Sequence, residues 1–255
     1  MTGFSTLCKH ELYAVWRTWH RYVLPTVLCL FGVMSVVLSR FAPDIVGSMM
    51  GEAVRKAMPE PNWHEAYNQW TKNLAQTVMF VVIFTGAGAT SSLVSSGRAQ
   101  LLAVRPVSRA SQPLAALVAR IAVLASASLA GMAVVWAATF GFYREAPVGP
   151  LVAATAAWFA CACFFLAITV AMSSLTGSTL AAAGIGVGSL LLTMIGSAVE
   201  PIAENSPAGL LTLPSAFAEE RTIGAAAVVV PFATSLILMI LVVVLGAKSF
   251  ARREL

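Results

Sequence analysis

Few side chains in this sequence are of the kind that do chemistry, and fewer are spaced to do it together. Cys161 and Cys163 form a Cys-x-Cys pair, a spacing that soft metal ligands use, yet no histidine or acid lies between residues 146 and 199 to complete a coordination shell. They read as two small residues facing lipid or a neighbouring helix. Gly246, Ala247, Lys248 and Ser249 imitate the end of a phosphate-binding loop but lack the adjacent Gly-Lys and the upstream glycine. There is no HExxH zinc motif, no G-x-S-x-G elbow and no carboxylate pair inside an apolar run. The chain is expected to catalyse nothing itself and to bind no cofactor or metal. What remains is a basic stretch at 95–112, SSGRAQLLAVRPVSRASQ, with three arginines and no acid.

The elements that carry this stretch are apolar. The 255 residues are 58% hydrophobic and 11% charged, with a mean hydropathy of +0.82; a soluble domain has about 25% charged residues. The solvent is therefore a lipid bilayer. A net charge of +5 does not signal nucleic acid, because the basic residues sit in short clusters between apolar runs. An apolar helix needs about 20 residues to cross a bilayer core, and six segments qualify: 22–39, 74–94, 121–143, 151–175, 178–199 and 225–247. The fourth and fifth, joined by little more than Thr176 and Gly177, predict a tight helical hairpin. The first run is longer than a signal-peptide core and no A-x-A site follows, so it is expected to stay. No segment carries an ionisable residue deep in its middle, which argues against the proton and cation relays of secondary transporters and pumps.

Charge sets the orientation. With the N-terminus inside, ten basic residues (among them Lys9, Arg17, Arg21, Arg98, Arg105, Arg109 and Arg120) face two acids on the inner side, against six and nine outside. Both termini and the 95–112 stretch are then cytoplasmic. Burying its arginines in lipid would cost about 2.5–3.5 kcal/mol each.

Before the first span, Leu12, Trp16, Trp19 and Val23 share one helical face and His10, Arg17 and Arg21 another, with Glu11 between. This predicts an amphipathic helix on the inner membrane surface or a plain basic anchor for the span; the same residues serve both. Outside, a short amphipathic helix is predicted over 46–57, and Trp63, Tyr67 and Trp70 read as an interfacial aromatic belt. Gly184 and Gly188 form a GxxxG pair, open to packing within the chain or across a dimer. Ser111 with Gln112 and Pro113 reads as an N-cap and first helical turn.

With these features in view, the sequence resembles the permease subunits of type-2 ABC transporters. Those begin with a basic amphipathic helix holding a K-x-E-L-like patch, here Lys9, His10, Glu11 and Leu12. Between their second and third spans they carry a pattern like S-G-T-x-x-x-L-L-x-x-P-V-S-R, matched by Ser96, Gly97, Arg98, Leu101, Leu102, Pro106, Val107, Ser108 and Arg109. Their F-x-R-R-D/E-L tail is matched by Phe250, Arg252, Arg253, Glu254 and Leu255. A glutamate that the family commonly places before the glycine is missing.

The resemblance implies an all-α polytopic membrane protein made of one permease domain spanning 1–255. It implies that Gly97, Arg98, Leu101, Leu102, Arg105, Pro106, Ser108 and Arg109 form a coupling helix docking on a separate ATP-binding subunit. Two such subunits would hold the ATP and Mg, and a second permease copy or a related permease would complete the pathway. The function expected is export of an amphipathic or hydrophobic substrate (drug, peptide or lipid) across the cell membrane. The alternative is a non-transport scaffold, sensor or immunity protein that binds a cytoplasmic partner through the same basic loop, or a loop that only fixes topology.

Overall fold

A computed structural model describes residues 2–17, 20–57, 60–92 and 108–252. The described residues are 88% helical, with no strand among them. Helix α1 (Thr2–Arg17) precedes α2 (His20–Met50), whose 31 residues extend about 46 Å at 1.5 Å per residue, well beyond a bilayer core. Gly51 ends α2 with a positive φ of 97°, a conformation that costs a side chain energy and glycine little. The chain turns there into α3 (Glu52–Ala57), which folds back so that Arg55 meets Asp44 of α2 at 2.7 Å. The continuous amphipathic helix expected over 46–57 is thus corrected to the last turn of α2 and a separate α3. Both pieces carry the same apolar period, and the left-handed glycine between them breaks it.

Helix α4 (Trp63–Asn73) starts on an Asn62 cap, whose side chain accepts from the Glu65 N–H at 3.2 Å. It passes through a π-helical turn (Leu74–Val78) into α5 (Met79–Ala87). The aromatic belt expected at Trp63, Tyr67 and Trp70 is not lipid-facing: all three are buried. Trp70 Nε1 donates to Thr155 Oγ1 at 3.2 Å and the Tyr67 hydroxyl to the Pro147 carbonyl at 3.2 Å. Buried aromatics with a polar tip need such partners, and the neighbouring helix supplies them.

Four longer elements follow with two short ones: α6 (Ser111–Tyr143), α7 (Val148–Thr176), α8 (Thr179–Ser197), α9 (Glu200–Asn205), α10 (Gly209–Ala218) and α11 (Ala225–Arg252). The expected hairpin between α7 and α8 is present. Gly177 adopts φ 67° and its N–H bonds the Ser173 carbonyl at 3.0 Å, while the Ser178 side chain caps α8 through the Ala181 N–H. The apolar α10 has no counterpart in the sequence reading; it packs against α7 and α4.

Helix α7 is the hub, touching α4, α5, α6, α8, α10 and α11. Its partners fix directions. Trp70 pairs with Thr155, Leu74 with Trp158, Gly86 with Thr169 and Ser91 with Ser173, so the path from α4 to α5 runs parallel to α7. Ser91 with Thr179 and Ile83 with Gly186 set α8 antiparallel to α5. Leu28 with Gly131 and Ser39 with Tyr143 set α2 parallel to α6. Among the described residues, five helices, α2, α6, α7, α8 and α11, are long and apolar enough to cross a membrane. In the described part of the expected segment 74–94, the π turn (Leu74–Val78) and α5, which ends at Ala87, stand in place of a single long α-helix.

Candidate functional site

Of the eight loop residues singled out by sequence, Gly97, Arg98, Leu101, Leu102, Arg105 and Pro106 lie outside the described residues; Ser108 and Arg109 are described and exposed. What the structure describes is the pair of shoulders between which the loop hangs. On the first, the end of α5 is stitched to α7 and α8 by hydroxyls. Ser173 Oγ accepts from the backbone N–H groups of Thr90 (3.3 Å) and Ser91 (3.0 Å), Ser174 Oγ donates to Thr90 Oγ1 at 3.2 Å, and Ser91 Oγ meets Thr179 Oγ1 at 2.7 Å. All but Thr179 are buried, so the Thr90 and Ser91 N–H groups just beyond α5 are satisfied by the Ser173 side chain in place of water.

On the second shoulder, the Ser108 carbonyl accepts from both the N–H and the hydroxyl of Ser111, and Gln112 N–H bonds the Arg109 carbonyl at 3.2 Å. Ser111 therefore does not act as the expected N-cap: it is already the first helical residue, Ala110 holds the cap position without a side-chain bond, and the Ser111 hydroxyl points backward. Gln112 is buried, with no hydrogen bond to its Oε1 among the described residues.

Arg120, nine residues into α6, joins the shoulders. Its Nε donates to the Thr85 carbonyl at 3.0 Å and Nη1 to the Ala116 carbonyl at 3.1 Å. Thr85 belongs to the last turn of α5, where carbonyls lack helical donors and the dipole is negative, so a cation is favoured there. Glu11 of α1, buried although it is charged, lies within electrostatic reach of Arg120. Burial first, and the Glu11 charge second, push the Cys8 thiol up from its ordinary range. Helices α1, α5 and α6 thus converge on one guanidinium.

The interfacial-helix residues sort cleanly around this junction. Leu7 and Glu11 form the inward face of α1, which packs on α6, while Leu12, Tyr13 and Trp16 are exposed on the other side. The exposed apolar face suits a helix lying on a membrane surface. Arg17 stacks over the Tyr13 ring at 5.0 Å and Arg21 over Tyr22 at 4.3 Å; Trp19 lies outside the described residues. Sequence reasoning grouped Glu11 with this helix without its burial and took Arg120 only as a topological charge. The signal that marks Arg120 is a single arginine set inside an otherwise apolar helix.

Gly184 and Gly188 meet nothing within 4 Å, whereas at Gly186 an added Cβ would stand 2.3 Å from Thr169 and 2.8 Å from Ile83. Packing within the chain uses Gly186, and the GxxxG pair faces away from it. Gln76 and Thr77, on the π turn, are likewise exposed, with no side-chain partner among the described residues.

These features define a polytopic, all-helical membrane protein with a locked three-helix junction beside a basic loop. Residues 26–255 match the sequence model of the DUF2705 family, described as a protein of unknown function, and the chain belongs to that family. No curated protein matches it.

Proposed function

We propose that this chain is the membrane-spanning permease subunit of an ATP-driven exporter in the cell membrane, with both termini cytoplasmic. In this reading the helical path 63–87 is a sixth crossing, interrupted by its π turn. The alternating helix directions then put α1, the basic loop, the α7–α8 turn and the end of α11 on one side. The loop is the coupling element for two ATP-binding subunits that bind ATP and Mg. Their closure would push on the loop, and the switch between inward- and outward-facing arrangements would follow. A second permease copy or a related permease would pair with the open face bearing Gly184 and Gly188. Apolar and small-residue walls, with Gln76 and Thr77 as neutral polar groups, suit an amphipathic or hydrophobic cargo.

The observation that carries the reading is the rigid seating of both loop shoulders. A loop that only fixed topology would need no half-buried arginine tying α5 to α6 near a buried glutamate of α1. Push applied at the loop reaches three helices at once through that junction.

The test is coexpression with any ATP-binding-cassette subunit found encoded beside this chain. Copurification and stimulated ATP hydrolysis are expected. Leu101→Asp with Leu102→Asp should abolish both while the chain still inserts. If assembly and transport survive that change, the loop is not the coupling element; if the wild-type chain never engages an ATPase, the scaffold alternative takes over.

A further inference from the structure

At the end of α2 remote from Arg120, a half-open pocket of about 360 Å³ lies between α2 and α4. That volume is within the range of small-ligand sites. One wall is aliphatic, formed by Leu38, Ala42, Ile45 and Val46. The polar groups opposite are of one kind. Glu65 lines the pocket with its side chain in no ion pair or hydrogen bond among the described residues. Gln69 also lines it; one N–H of its amide goes to Asn73 Oδ1 at 3.4 Å, and its oxygen accepts no hydrogen bond among the described residues. Pro43 has no N–H to give the Ser39 carbonyl, and both residues line the same cavity. The Ser39 hydroxyl is engaged with the Val36 carbonyl and the Tyr143 hydroxyl. Arg40, which acts on the Tyr143 phenol from the same neighbourhood, does not line the pocket, and Arg55 is held by Asp44.

We propose that this pocket binds the primary ammonium head of an aliphatic amphiphile, with the head among Glu65, Gln69 and the Ser39 carbonyl and the chain along the α2 wall. A head with three N–H donors and a positive charge matches three acceptors, one of them charged. An anionic head would meet the Glu65 carboxylate, and a neutral alkyl chain would leave the acceptors unanswered. The same head chemistry occurs on a free long-chain amine and on an aminophospholipid. The pocket stands on its own lining, whether or not the chain works with an ATPase.

The purified full chain in maltoside micelles, titrated with dodecylamine at neutral pH, should bind saturably. Glu65→Gln, nearly isosteric at an exposed position, should weaken this roughly tenfold or more with an unchanged melting temperature. Dodecyltrimethylammonium, which carries charge without donors, should bind several-fold more weakly, and dodecanol should not distinguish wild type from Glu65→Gln. In nanodiscs, native mass spectrometry of the wild type should retain phosphatidylethanolamine over phosphatidylcholine if the source is lipid, and only added amine if it is free. Equal binding by wild type and Glu65→Gln, equal binding of dodecanol and dodecylamine, or no binding of either source overturns the proposal.

Discussion

The two ends of this molecule are built on opposite plans. Near the basic loop, charged and polar groups are drawn inward and answered: the half-buried Arg120 by two carbonyls, with Glu11 in electrostatic reach, and the buried Thr90 and Ser91 N–H groups just beyond α5 by Ser173. At the far end, α3 lies against α2 through the exposed pair of Arg55 and Asp44, and the neighbouring pocket leaves its acceptors open. A buried, satisfied network is costly to disturb and so transmits displacement, whereas an exposed one yields cheaply and leaves room to bind. The difference teaches that charge is structural at one end and available at the other.

The largest break in this contrast is Arg120→Met. It removes the charged donor to the Thr85 and Ala116 carbonyls and the positive charge that acts on Glu11, and losing hydrogen bonds from a charged group costs about 1.5–3 kcal/mol. A large drop in melting temperature in micelles is expected, and adding Glu11→Gln should recover part of it because the two sites are coupled. Next comes Gly186→Leu, which drives a side chain into Thr169 and Ile83 and should destabilise by about 1–3 kcal/mol. Gly184→Leu should leave the melting temperature unchanged, since its Cβ meets open space, and alter only association, read by cross-linking or size-exclusion chromatography. At the yielding end, Asp44→Ala removes an exposed ion pair and should cost less than about 1 kcal/mol. The smallest effect is kinetic. Cys8 should alkylate more slowly at pH 8 than a free cysteine, because burial and the Glu11 charge disfavour its thiolate; Glu11→Gln should speed it, as peptide-resolved mass spectrometry would read.

Features with a local cause were legible in the sequence. The tight hairpin between α7 and α8 follows from two apolar runs meeting at Gly177, and five of the long apolar segments are single helices. What escaped depends on partners far along the chain. Trp63, Tyr67 and Trp70 next to an apolar run look like a membrane belt until α7 covers them. Glu11 and Arg120 are separated by most of the first half of the chain, so neither carries a sign of the other. The break at Gly51 is hidden because the apolar period continues on both sides. Residues 93–107 lie outside the described residues, so the coupling role proposed for them rests on the flanking shoulders and on the resemblance.

The π turn has a consequence for how this chain tolerates change in length. From Trp70 to Ser91 the chain advances 21 residues, while their α7 partners, Thr155 and Ser173, are 18 apart. The turn at 74–78 takes up one of the extra residues, because its Met79 N–H reaches back five residues to Leu74 where an α-helix would reach four. Deleting one residue there leaves a regular helix with α4 and α5 still facing α7, whereas a deletion within α7 would rotate everything beyond it by about 100°. The turn is a place where one residue can be lost without unseating the helices on either side.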